Sequence, residues 1–133
     1  MQTKLLMSIS ALYMAALGLL ASFLPQEILG YYHASAQGLA VVLIQAIGAL
    51  YLGFAILNWM ARASLIGGIY GKPVALGNFL HFAVLAVVLL KLLAAGSAVP
   101  EITAAAAIYA VFAVWFGLVV FTAPSQVAGS RQG

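Results

Sequence analysis

Four long apolar runs, each bounded by proline, glycine or a charged residue, set the pattern of this chain. The first, 5–24, follows Gln2, Thr3 and Lys4 and stops at Pro25, because proline blocks helix continuation and restrains the residue before it. The second, 39–61, is LAVVLIQAIGALYLGFAILNWMA, 23 residues without a charge, closed by Arg62. A third run, 74–95, starts after Pro73, a residue suited to the first helical turn. A competing start makes Asn78 the N-cap after Gly77 and leaves only about 17 residues, the lower limit for spanning. A tight turn over 96–99 leads to the fourth run, 101–122. Pro100 and Glu101 open it, with Pro at the first position and an acid favoured by the helix dipole. Pro124 stops it, and VAGSRQG forms a polar tail. Runs of about 18 or more apolar residues cross a bilayer core of about 30 Å. Between the first two runs, PQEILGYYHASAQG sets Ile28, Leu29, Tyr31 and Tyr32 beside Glu27 and His33. Amphipathic aromatics favour the headgroup level, so this connection is expected to form a short helix along the membrane surface. The predicted fold is all-α, a four-transmembrane-helix up-down bundle in a single domain over 1–133.

Composition agrees with that pattern. The 133 residues are 66% hydrophobic and 5% charged, with a mean hydropathy of +1.18. Soluble domains carry about 25% charged residues, so water is not this chain's main solvent. Without cysteine, disulfides, thiolate metal sites and thiol catalysis are excluded. The net charge of +3 rests on five scattered Lys and Arg, too few for a nucleic-acid footprint. Charge placement reads instead as topology. Four spans put Lys4, Arg62, Lys72 and Arg131 on one side, and Glu27 and Glu101 on the other, with Lys91 in the last turns of the third span. Because Lys and Arg gather on the cytoplasmic side, both termini and the glycine-rich loop are expected there. Lys4 could serve the n-region of a signal peptide. The apolar stretch behind it exceeds the usual length of about 7–15 residues and lacks an A-x-A site, so a retained helix is expected.

Small residues form seams along the spans. Ser8, Ala11, Ala15, Gly18 and Ser22 recur in the first, Ala49 and Gly53 in the second, and Ala106, Ala110, Ala113 and Gly117 in the fourth. Such seams let backbones approach closely, either within the chain or between copies of it.

Polar residues inside the spans are the pointers to chemistry. By depth, Asn58, Trp59, Asn78 and His81 fall in the inner leaflet, Tyr13, Tyr51 and Tyr109 near the middle, and Gln45 and Lys91 in the outer third. Tyr13, Tyr51, Asn58, Asn78 and His81 are the candidate ligand-binding residues, because antiparallel neighbours on either side of the basic loop would bring Asn58 near Asn78 or His81. His81 could relay protons or touch a ligand. The bland alternative is a neutral imidazole bonded to Asn78, Asn58 or a backbone carbonyl. His33 and both glutamates belong to the opposite side, and three ligands for a metal cannot be gathered around His81. Lys91 is expected to snorkel or to meet Glu101 or Glu27, the tyrosines to pack with one satisfied hydroxyl, and Gln45 to bond across helices. The loop GGIYGKP fails as a phosphate-binding loop, with Ile66 at the first Gly position, Pro73 in place of Ser/Thr and no strand before it. Arg62 and Lys72 remain candidates for a lipid headgroup, since basic residues beside the membrane attract anionic lipids.

With Phe23-Leu24-Pro25-Gln26-Glu27-Ile28-Leu29 closing the first span and Ile47-Gly48-Ala49-Leu50-Tyr51-Leu52-Gly53 in the second, the chain resembles the DoxX-like group of small bacterial four-helix membrane proteins. The resemblance implies a four-helix bundle in the bacterial inner membrane. Some members of that group are associated with quinol oxidation or membrane oxidoreductase complexes, and no catalytic residue can be carried over. The favoured functional expectation is a non-catalytic membrane protein that binds an apolar ligand or lipid, or serves as an accessory subunit of a membrane complex. A homo-oligomeric transporter or channel is the second reading. It lacks the intramembrane carboxylate that proton coupling ordinarily uses. A quinone-linked oxidoreductase subunit, with quinone as cofactor, is the third, and a lone His is thin support for acid–base work.

Overall fold

Proline and glycine decide where each helix of this chain stops. The computed structural model describes residues 2–63, 71–97 and 99–122, without the side chain of Gln2. Most of the glycine-rich loop (64–70), Arg131 and the rest of the polar tail lie outside the described residues. The elements are α1 (Gln2–Phe23), α2 (Pro25–Tyr31), α3 (Leu39–Ala61), α4 (Lys72–Ala94) and α5 (Pro100–Thr122), and no strand occurs among the described residues. Four of the five, α1, α3, α4 and α5, are long and apolar enough to cross a membrane. The chain is therefore an all-helical integral membrane protein with four candidate spans.

The connections follow from local chemistry. α1 ends at Phe23, and Leu24 joins it to α2 by donating to Leu20 O at 2.8 Å while its own carbonyl accepts from Ile28 N at 3.1 Å. Pro25 thus starts a second helix at once rather than merely ending the first, its missing N–H being one that no helix start would use. α2 closes with His33 in the left-handed region at φ 53°. His33 N donates to Gly30 O at 3.0 Å and Ala34 N to Leu29 O at 2.9 Å, the paired bonds of a Schellman end that glycine usually occupies. Gly96, at φ 94°, does the same for α4, with Gly96 N on Leu93 O and Ser97 N on Leu92 O. Gly38 precedes α3 at φ 59° and ψ −132°, a conformation open essentially to glycine alone. The α4 start lies at Lys72, and Asn78 sits inside the helix. Its Nδ2 donates to Val74 O at 2.9 Å, so the amide is satisfied one turn back along its own helix.

Contacts divide the chain into two compact units, Met1–Ala63 and Ser64–Gly133. In the first, α1 and α3 pack antiparallel at backbone distance. A Cβ on Gly18 would lie 2.9 Å from Leu52 N, and one on Gly48 would lie 2.7 Å from Ser22 N. Gln45 Nε2 donates across this contact to Ser22 O at 3.3 Å, the interhelical bond expected of it. The α1 seam is therefore used within the chain, with Ala11 and Gly18 buried and Ser22 against Gly48. The Ala49–Gly53 pair of α3 is not: both are exposed, and nothing lies within 4 Å of a Cβ on Gly53. Gly48, one residue earlier, takes the contact.

In the second unit α4 and α5 pack antiparallel through aromatic rings. Phe82 stacks on Phe112 at 4.7 Å and on Phe116 at 5.7 Å between centroids, and meets Tyr109 at 5.3 Å. Phe79 packs edge-on to Phe121 at 5.4 Å and fills the space over Gly117. Ala106 and Ala113 of the fourth seam are buried. The first unit buries Leu6, Met7 and Met14 beside Ser10 and Asn58, and the second buries its aromatic cluster, while Leu12, Leu50, Met60, Val111 and Phe121 are exposed. That outward apolar surface matches hydrocarbon rather than water.

The two glycines of α3 should respond oppositely to alanine. Gly48→Ala drives a methyl into the Ser22 backbone and is expected to destabilise by about 1–3 kcal/mol. Gly53→Ala is expected to be neutral or to stabilise by about 0.5–1 kcal/mol through helix propensity. Thermal unfolding in detergent micelles, followed by circular dichroism, checks both.

Candidate functional site

α2 turns back along the end of the α1–α3 pair, and the three helices line an open groove in the first unit. It is a groove of 480 Å³ lined by Leu17, Leu20, Ala21 and Leu24 from α1 and its end, by Glu27, Ile28, Tyr31 and Tyr32 from α2 and its end, and by Ile44, Ile47 and Tyr51 from α3. The size lies in the range of small-molecule sites, about 300–1,000 Å³, and such sites are mostly apolar with a few placed polar groups. Here the polar lining residues are Glu27, Tyr31, Tyr32 and Tyr51. Pro25 positions those of α2, because a helix begun immediately after Leu24 brings Tyr31 round to the face of Glu27 and Ile28, four and three residues before it.

The five sequence-derived candidates divide between the units. Tyr51 lines the groove and Tyr13 lies half-buried on α1. Asn58 sits in the last turn of α3, 0% exposed, and belongs to a buried polar relay. Its Nδ2 donates to Ser10 Oγ at 3.0 Å and approaches Met14 Sδ at 3.8 Å, and Ser10 Oγ donates to Met7 O at 3.2 Å. Ser10, also 0% exposed, is the partner that the sequence pattern does not reveal. One serine among the apolar residues of α1 looks like seam, and only the antiparallel register pairs it with Asn58. The relay is in keeping with that register and has no opening of its own among the described cavities.

In the second unit, Asn78 is fully buried and bonded within its own helix. His81 joins the aromatic cluster, 5.1 Å from Phe82 and 5.9 Å from Tyr109 between centroids. Among the described residues no three His, Asp or Glu side chains come together as metal ligands. The lipid-headgroup candidates are both at the surface. Arg62 folds back over Trp59, its guanidinium carbon 3.7 Å from the ring centroid, and donates to Trp59 O. Lys72 is exposed in the first turn of α4. Lys91, in the last turn of α4, is exposed as well, the placement a snorkelling lysine needs.

No family model, curated protein or solved structure matches this chain. The groove's chemistry therefore stands on its own residues. Among the described residues its only charged lining residue is Glu27, and no Lys, Arg or His lines it. Its walls along α1 and α3 offer mainly dispersion contact, with Tyr51 the polar side chain there, and the remaining polar lining residues stand at the α2 end.

The Ser10–Asn58 bond should be measurable as coupling. In a double-mutant cycle with Ser10→Ala and Asn58→Ala, unfolding in micelles is expected to give an interaction energy of about 0.6–1.7 kcal/mol, the range found for interhelical hydrogen bonds in membranes. A value near zero would detach the relay from the stability of the α1–α3 pair.

Proposed function

We propose that this chain is a non-catalytic protein of the bacterial inner membrane that binds a lipid or similar apolar ligand in the groove between α1, α2 and α3. The groove carries the reading. It is preformed, long-walled and apolar, and it is open at a face whose surroundings are themselves apolar. A ligand entering it from hydrocarbon would lose no hydration and would gain packing against two helices. The four spans are proposed to stand as an up-down bundle, with both termini and the basic loop on the cytoplasmic side. That orientation follows the positive charges of Lys4, Arg62, Lys72 and Arg131.

Membership of the DoxX-like group is proposed on the same two stretches that suggested it. Both of them build the groove. Leu24, Glu27 and Ile28 come from the first stretch, and Ile47 and Tyr51 from the second. A ligand-binding module of this kind also suits an accessory subunit, which would present its ligand to a larger membrane complex.

The test fills the groove from its exposed walls. Protein purified in mild detergent and sprayed for native mass spectrometry is expected to retain a co-purified lipid or other apolar ligand. A Leu20→Trp, Ile47→Trp double variant is expected to lose at least about 90% of it while unfolding at an unchanged temperature, since both positions are exposed. Equal retention by the filled variant, or no adduct on the native protein, would remove the proposal.

A further inference from the structure

The groove's two ends differ in chemistry, and that difference identifies the head group of its occupant. Along α1 and α3 the lining is Leu17, Leu20, Ile44 and Ile47, suited to an acyl chain. At the α2 end stand Glu27, Tyr31 and Tyr32. The two tyrosine rings are perpendicular, 89° apart with centroids at 5.1 Å, and 63% and 55% exposed. Perpendicular rings form two walls of a corner, and a carboxylate one turn back on the same short helix supplies a negative charge to it. Aromatic faces and a carboxylate attract the same thing, a cation on a small apolar base, and aromatic corners of this kind recognise ammonium groups.

We infer that the groove takes a membrane lipid whose head group carries an ammonium, with one acyl chain along α1 and α3 and the ammonium between Glu27 and the Tyr31–Tyr32 corner. This rests on the groove being a lipid site, as proposed above, and adds the class of head group. Charge complementarity selects it. A net-anionic lipid would bring its phosphate beside Glu27 with no cation to offset it, since none of the described residues lining the groove is Lys, Arg or His, whereas a zwitterionic head group supplies that cation itself. A head group with only hydroxyls would leave the carboxylate outside the interaction. The prediction also runs against the protein's overall bias. A chain of net charge +3 should otherwise gather anionic lipids, by about 1 kcal/mol for each basic residue at the surface.

The experiment compares phosphatidylethanolamine with phosphatidylglycerol of identical acyl chains, added in competition to delipidated protein and counted by native mass spectrometry. The first retained adduct is expected to favour phosphatidylethanolamine by about fivefold, the upper end of what an ammonium–aromatic contact at an exposed site gives. In Glu27→Gln and in Tyr32→Leu, both exposed positions, that preference is expected to fall to about twofold or less while total binding of the chain persists. Equal retention of the two lipids by the native protein would overturn the head-group assignment, and so would a preference that survives both substitutions. If the Leu20→Trp, Ile47→Trp variant then loses both lipids, the groove itself still stands. If it keeps both, the lipid-site reading falls together with this one.

Discussion

Helices surrounded by hydrocarbon gain nothing from hiding apolar surface, so they associate only where their shapes and polar groups fit. In this chain the fit is tightest where Gly18 and Gly48 let the backbones of α1 and α3 touch. The other features of the first unit follow from that contact. It sets the register that places Gln45 on the Ser22 carbonyl and Asn58 on Ser10. It also leaves Leu43, Leu50, Leu57 and Met60 of α3 exposed, while Leu6, Met7 and Met14 of α1 are buried. The second unit solves the same problem differently. There, aromatic stacking around Phe82 supplies the specific contact, with Ala106, Ala113 and Gly117 admitting the rings.

The groove is a consequence of how the α1–α3 contact ends. Close packing brings the two helices together up to Ser22 and Gly48. Beyond that point the chain must return from α1 to α3, and α2 makes the return. Because Pro25 begins α2 directly after Leu24, the short helix lies near enough to wall a cavity yet brings its own polar face. Glu27 and the two tyrosines are therefore placed by a backbone event. His33 in the left-handed region and Gly38 at a glycine-only conformation then redirect the chain into α3. A single short connection thereby supplies both the turn and the chemistry.

How much of this the sequence disclosed depends on the range of the interaction. The spans were legible, each end falling within three residues of the observed one, because Pro25, Pro73, Gly96 and Pro100 act locally. The short helix after Pro25 was legible from the amphipathic aromatics of the connection, Tyr31 and Tyr32 beside Glu27, although its start at Pro25 itself was not. The face of α3 was not. With apolar residues all round, a small-xxx-small pair at Ala49 and Gly53 is indistinguishable from a contact, and the contact proved to lie at Gly48. Ser10 was equally hidden, since its meaning comes from a partner 48 positions away. Asn58 and Asn78 stood out as intramembrane amides, but each proved to be satisfied by nearby groups, Asn58 by Ser10 and Asn78 by its own backbone. The groove could not be read at all from spacing, since it needs three helices. Some of its members were visible beforehand, Tyr51 as a candidate binding residue and Glu27, Ile28, Tyr31 and Tyr32 as an interfacial cluster.

The central claim is that α3 stands in lipid with its small and polar face turned inward. Nitroxide labels introduced one at a time along α3 in liposomes measure it directly, and the absence of native cysteine makes such labelling clean. The account predicts high oxygen access and low access to a water-soluble nickel reagent at Leu43, Leu50, Leu57 and Met60, with an oxygen minimum at Ala55. An even oxygen profile along the helix, or nickel access at Leu50, would contradict it.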